Sequence, residues 1–185
     1  MKLLRITLPM YAVALLLIAG AAAAQDTDKA KLIEIEKAFA ANPTAGQQAG
    51  ALATQYLYDG PLNQLTQMGR VGTLPKARVV ELFAAPDPSD PDVKTTQTIA
   101  DFHVDISGTT AVVSYKLNTT DKGHKEAALD ITLHLSCLDT FTKKNGTWFL
   151  LASGCASSVP IPQAVWDASK KALSQEPKDI QQSYH

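Results

Sequence analysis

Asp139 is the residue whose placement could do chemistry. Leu129, Ile131, Leu133, Leu135 and Cys137 precede it at two-residue spacing, and Phe141 continues the series. In an extended strand that spacing puts them all on one face, here the apolar face turned toward helices. A carboxylate there is costly unless it is hydrogen-bonded or lies near an opening. Burial would raise its pKa and suit it to act as a general base on an apolar carbonyl substrate. The same position also fits a purely structural acceptor of backbone or tyrosine hydrogen bonds. Tyr56 and Tyr58 stand at the end of an expected helix and could bring phenol hydroxyls to a pocket mouth. The competing reading makes them amphipathic core residues.

The remaining polar clusters carry less. Asp101-x-His103-x-Asp105 sets three polar side chains on one strand face. Ligands on one straight strand diverge by ~6.6 Å per step, too far for a single ion, so this reads as a solvated face. His134, between Thr132 and Ser136, reads the same way, and His124 falls in a turn. There is no Ser-His-Asp pattern, Gly-rich phosphate loop, C-x-x-C or H-E-x-x-H. Neither a metal nor a cofactor is expected.

Cys137 and Cys155 are the only cysteines. They are read as one disulfide, the alternative being two inert buried thiols. The register of a hairpin bears on this. Lys144-Asn145-Gly146 suits a three-residue loop, with Gly146 in the left-handed region. Lys143 then faces Thr147, Phe141 faces Phe149, Asp139 faces Leu151 and Cys137 faces Ser153. Cys155 becomes a diagonal neighbour of Cys137, and a bulge near Gly154 would bring the two sulfurs opposite. Trp148 opens the closing strand and is expected to cover the end of the sheet.

The N-terminus supports the oxidising compartment that a disulfide needs. Lys2 and Arg5 precede an apolar run, Tyr11 to Gly20, and Ala22-Ala-Ala24 offers a small-residue cleavage pattern. Residues 1–24 are read as a signal peptide cut before Gln25. The run falls short of the ~20 residues that a membrane span needs. The expected location is periplasmic or secreted, with no stable membrane anchor after cleavage. Of the 185 residues, removal of 24 leaves 161, enough for one domain with a core. Lys2 and Arg5 are the only charges lost, so 15 basic residues meet 18 acidic ones, a net charge near −3. That balance argues against nucleic acid as a partner.

The elements that must position these residues follow from periodicity. A helix is expected from an Asp28 cap to about Ala41, with Leu32, Ile35 and Phe39 on one face. A second runs from about Ala45 to Leu57, and residues 62–71 form a short strand or an irregular link. Leu74-Pro75 opens a third helix, Lys76 to Ala84, and a proline-punctuated loop follows to Pro91. The period then changes to two. Phe102, Val104 and Ile106 form one strand, Ala111 to Leu117 the next, then Leu129 to Leu135, then the hairpin. Helices first and strands afterwards indicate an α+β domain with helices on one face of an antiparallel sheet. Gln163 to Gln175 reads as a further helix, and the last ten residues as frayed.

Four segments recur in an order that resembles the DUF4440/SnoaL-like branch of the NTF2-like superfamily. They are Met68-Gly-Arg70, Leu74-Pro-Lys-Ala77, Gly108-Thr-Thr-Ala-Val-Val113 and Asp139-Thr-Phe-Thr-Lys-Lys-Asn-Gly-Thr-Trp148. The chain departs from the pattern at Leu138, where the family has Thr, at Phe141, and in Asn42-Pro-Thr-Ala-Gly-Gln, which lacks the usual acid. The resemblance implies a conical pocket over residues 25–158, frequent homodimers, and enzyme activity in some branches only. Residues 159–185 form an extension. Three functions fit. The first is an exported domain binding a small apolar or carbonyl-bearing molecule, and the second an isomerase- or cyclase-type enzyme using Asp139 as base. The third is a non-catalytic structural or assembly module.

Overall fold

The computed structural model describes residues 10–42, 46–66, 69–85, 92–175 and 177–184, with backbone alone for residues 10–23 and 173. Lys2 and Arg5, Met68 and most of the proline-punctuated loop lie outside the described residues. The expected α+β cone is observed. Helices α1 (Met10–Ala40), α2 (Gln47–Tyr56) and α3 (Lys76–Ala84) cover one face of a six-stranded sheet. The strands are β1 (Pro61–Leu65), β2 (Val71–Pro75), β3 (Lys94–Ser107), β4 (Thr110–Lys122), β5 (Ile131–Lys144) and β6 (Thr147–Ser157). Their order is β2-β1-β6-β5-β4-β3. All pairs are antiparallel except β1 with β6, so the sheet is mixed. Helices α4 (Gln163–Gln175) and α5 (Lys178–Ser183) follow.

Asp28 does not cap α1. The helix runs through it without a break, since the Ala-rich stretch before it contains no proline and favours helix. Asp28 instead accepts two bonds from Lys143 Nζ, both 2.7 Å, and one from Trp148 Nε1 at 3.0 Å. These tie α1 to the β5–β6 hairpin. Trp148 itself is 2% exposed.

Two bulges bend the sheet into a cone. The first interrupts the β3–β4 ladder between Ala100 and His103, where Asp101 has φ 56°. It switches the inward parity from Gln97 and Ile99 to Phe102, Val104 and Ile106. The second lies on β6 between Leu150 and Ala152.

The hairpin differs from the expected register. Its turn has two residues, Asn145 (φ 52°) and Gly146 (φ 82°), both left-handed, so Lys144 pairs with Thr147. Phe141 therefore pairs with Leu150, not Phe149. The bulge at Leu151, not near Gly154, adds a second step, so Asp139 pairs with Ser153 and Cys137 with Cys155. The two cysteines form a disulfide with Cα atoms 4.1 Å apart.

Pro61–Leu65 and Val71–Pro75 pair as antiparallel strands, more regular than the irregular link that was the alternative. Leu129 belongs to a 3-10 turn before β5, not to the strand. Residues 177–184 are docked, not frayed. Ile180 is 3% exposed, and Tyr184 bridges to Gly72 and donates to Gln64 Oε1. A Cβ on Gly72 would meet Tyr184 Cδ1 at 2.4 Å, so the contact requires glycine.

Candidate functional site

Helices α1, α2 and α3 meet over the sheet through Phe39, which packs edge-on against Tyr56 at 6.4 Å and Phe83 at 6.3 Å. Gly50 lets α2 approach α3, because a Cβ there would lie 2.5 Å from Ala84 Cβ. Between this layer and the sheet is a cavity of about 300 Å³. Its apolar walls come from Phe39, Leu57, Leu62, Phe83, Ile99, Leu117 and Leu150. Three groups that can titrate line it: Glu36 from α1, Tyr115 from β4 and Asp139 from β5.

Asp139 points inward, as alternation from Leu133, Leu135 and Cys137 requires, and is 3% exposed. Its Oδ2 accepts the Tyr115 hydroxyl at 3.0 Å, and its Oδ1 accepts the Gly154 backbone N–H at 3.3 Å. Burial pushes its pKa up, against the opposing pull of hydrogen bonds from Ser153, Glu36, Tyr115 and Gly154.

Glu36 was not among the expected site residues. It lies four residues after Leu32 and three before Phe39, inside the apolar stripe of α1, and is 4% exposed. Burial, then the charge of Asp139, pushes its carboxyl up to about 10. Its Oε1 has no hydrogen-bond partner among the described residues. A proton on Glu36, donated toward Asp139, relieves the repulsion between two buried carboxylates. Sharing a proton in this way lets the two carboxyl groups lie together, with the Tyr115 and Gly154 donors converging on Asp139. Burial also raises the Tyr115 hydroxyl, followed by the charges of Asp139 and Glu36, so it stays a neutral donor.

Neither Tyr56 nor Tyr58 lines this cavity. Tyr56 packs on Phe39, and the Tyr58 backbone N–H bonds Leu150 O as the chain enters β1. The phenol at the site is Tyr115, which strand periodicity marks only as an inward apolar position. Asp101, His103 and Asp105 are solvent-facing, with His103 Nε2 3.2 Å from Asp105 Oδ2. His134 is exposed on Asn118. Among the described residues no cluster could hold a metal ion.

No family model matches the sequence, and no curated protein is a significant match. Solved structures do match. A protein from Kribbella flavida aligns over 76% of this chain and 97% of its own, with TM-score 0.60 and 16% identity. A Streptomyces avermitilis protein, provisionally named a dehydratase of the NTF2-like family, aligns over 73% of this chain and 99% of its own, with TM-score 0.54 and 16% identity. An NTF2-like protein of unknown function from Prochlorococcus covers 75% and 98%, with TM-score 0.51 and 13% identity. The fold is thus that of the NTF2-like superfamily. At these identities the likeness concerns architecture and carries no activity across.

Proposed function

We propose that this chain is an exported NTF2-like domain that binds a small, mainly apolar molecule in the cavity under α1. The observation that carries this reading is the cavity itself, apolar along its walls with a few polar groups converging at one place, as in ligand pockets generally. The disulfide supports an oxidising compartment. No helix among the described residues is long and apolar enough to cross a membrane. With residues 1–24 as a cleaved leader, this supports a periplasmic or secreted location. Use of Asp139 as a general base has less support, because both of its oxygens already accept hydrogen bonds.

The test is a thermal-shift screen of small neutral and charged aromatic compounds against the mature protein and an Ala40→Trp variant. Ala40 lines the cavity, and the indole would fill it. Compounds that raise the melting temperature of the wild type should have no effect on the variant. Equal shifts in both, or none in the wild type, would reject the reading.

One observation favours a second role, self-association through the outer sheet face. Val71 pairs with Leu65, Leu65 with Gly154 and Gly154 with Leu138, which sets three exposed apolar side chains in a row across four strands. Light scattering should show a dimer that Leu138→Asp converts to monomer.

A further inference from the structure

We infer that the cavity takes a small organic ammonium ion, its charged end seated against the Glu36–Asp139 carboxyl pair and its apolar body against the walls that Phe39 and Phe83 line. This rests on the small-molecule reading above and names the class of molecule. The first ground is charge. Two carboxyl groups, each at least 96% buried, share this cavity. No Lys, Arg or His among the described residues lines it. Buried carboxylates are ordinarily balanced by a cation, and here only hydrogen bonds do so.

The second ground is geometry. Glu36 Oε1 is a buried oxygen without a partner on a side chain that lines the cavity. An ammonium group presents several N–H donors at once. It can serve more than one carboxyl oxygen, whereas an alcohol donates only once. The third ground is the wall. The rings of Phe39, Phe83 and Tyr115 line the same space and offer faces that attract a cation. The other polar side chains of the lining, Asn42, Gln64, Gln97 and Ser153, are neutral and add no positive charge. A carboxylate ligand would face like charge in a poorly screened site.

The experiment compares three compounds of one shape by calorimetry: 2-phenylethylammonium, 2-phenylethanol and phenylacetate. The ammonium should bind about tenfold tighter than the alcohol, equivalent to one hydrogen-bonded charge, and phenylacetate should bind weakest. Glu36→Gln and Asp139→Asn should each bring the affinity for the ammonium close to that for the alcohol. If the alcohol or the acid binds as well as the ammonium, the pocket stands and the ammonium inference falls. An advantage for the ammonium that survives both substitutions also overturns it, since the cation would then sit elsewhere. If none of the three binds, the small-molecule reading falls together with it.

Discussion

The Tyr115 hydroxyl donates to Asp139 Oδ2 at 3.0 Å across neighbouring strands. Val113 is the direct partner of Asp139 in the β4–β5 ladder, and Tyr115 pairs with Cys137. Tyr115 therefore reaches Asp139 along the diagonal, which only a long side chain can do. Tyr115→Phe removes the donor and leaves the ring. The expected loss is about 1–3 kcal/mol, the cost of stripping a partner from a buried acceptor. Urea denaturation measures it. Unchanged stability would show that Asp139 does not depend on this bond.

Glu36 ties stability to pH. Its carboxyl rises from 4.5 in the unfolded chain to about 10 in the fold. Between those values the folded state binds the proton and the unfolded state does not. The contribution is therefore fully present below about 4.5 and declines as pH rises toward 10, by up to about 1.4 kcal/mol per unit. Asp139, also raised, acts in the same direction. Asp28 and Asp130 are lowered by their hydrogen bonds and act oppositely in acid, so a difference between variants isolates Glu36. Glu36→Gln should match the wild type near pH 4.5 and exceed its stability at pH 8 by on the order of 2–4 kcal/mol. Parallel pH profiles for the two proteins would mean that Glu36 is ionised in the fold.

The contrast between Asp139 and Glu36 shows how much of this site the sequence could reveal. Asp139 breaks an otherwise apolar alternation, so its inward position was legible from parity. Glu36 sits on a helix, where one acid beside Lys37 reads as solvated surface, and only the stripe of Leu32, Ile35 and Phe39 points to burial. Tyr115 was legible as inward but not as a donor, because its partner lies on another strand. The helix spans Lys76–Ala84 and Gln163–Gln175 were legible from Pro75 and from periodicity. The start of β3 was not. The bulge at Asp101 reverses its parity, and a left-handed Asp gives no local warning. The disulfide pairing was legible although the register behind it was not: the turn and the bulge each moved it by one residue.

Reducing the Cys137–Cys155 bond should destabilise the domain without unmaking it. The bond joins residues 18 apart, which in the chain-entropy model is worth roughly 3 kcal/mol. A Cys137→Ala/Cys155→Ala variant should melt lower than the wild type and retain its far-UV spectrum. Two free thiols in protein isolated under non-reducing conditions would refute the bond directly.

Trp148 anchors the hairpin to α1, with its ring buried and its N–H on Asp28. Trp148→Ala should cost ~3–5 kcal/mol, as for other large buried rings. Trp148→Phe keeps most of the packing and loses the bond to Asp28, so it should cost less than the alanine variant. A melting temperature unchanged by the alanine substitution would place the ring in solvent.

The C-terminus offers the sharpest contrast between a frayed tail and a docked one. Ile180 is buried, and Tyr184 lies against Gly72 while bonding Gln64, a cavity residue. Arg70 stacks over the Tyr184 ring at 4.4 Å, and Arg78 Nε lies 2.9 Å from Asp179. Deleting residues 176–185 removes all of these together. The exposed ion pair adds little, but the lost burial of Ile180 should cost about 2–5 kcal/mol, as for large-to-small changes at buried aliphatic sites. Tyr184→Phe should leave stability nearly unchanged while freeing Gln64. A ligand that reaches Gln64 would then bind with altered affinity. A deletion variant with wild-type stability would show that the tail does not dock.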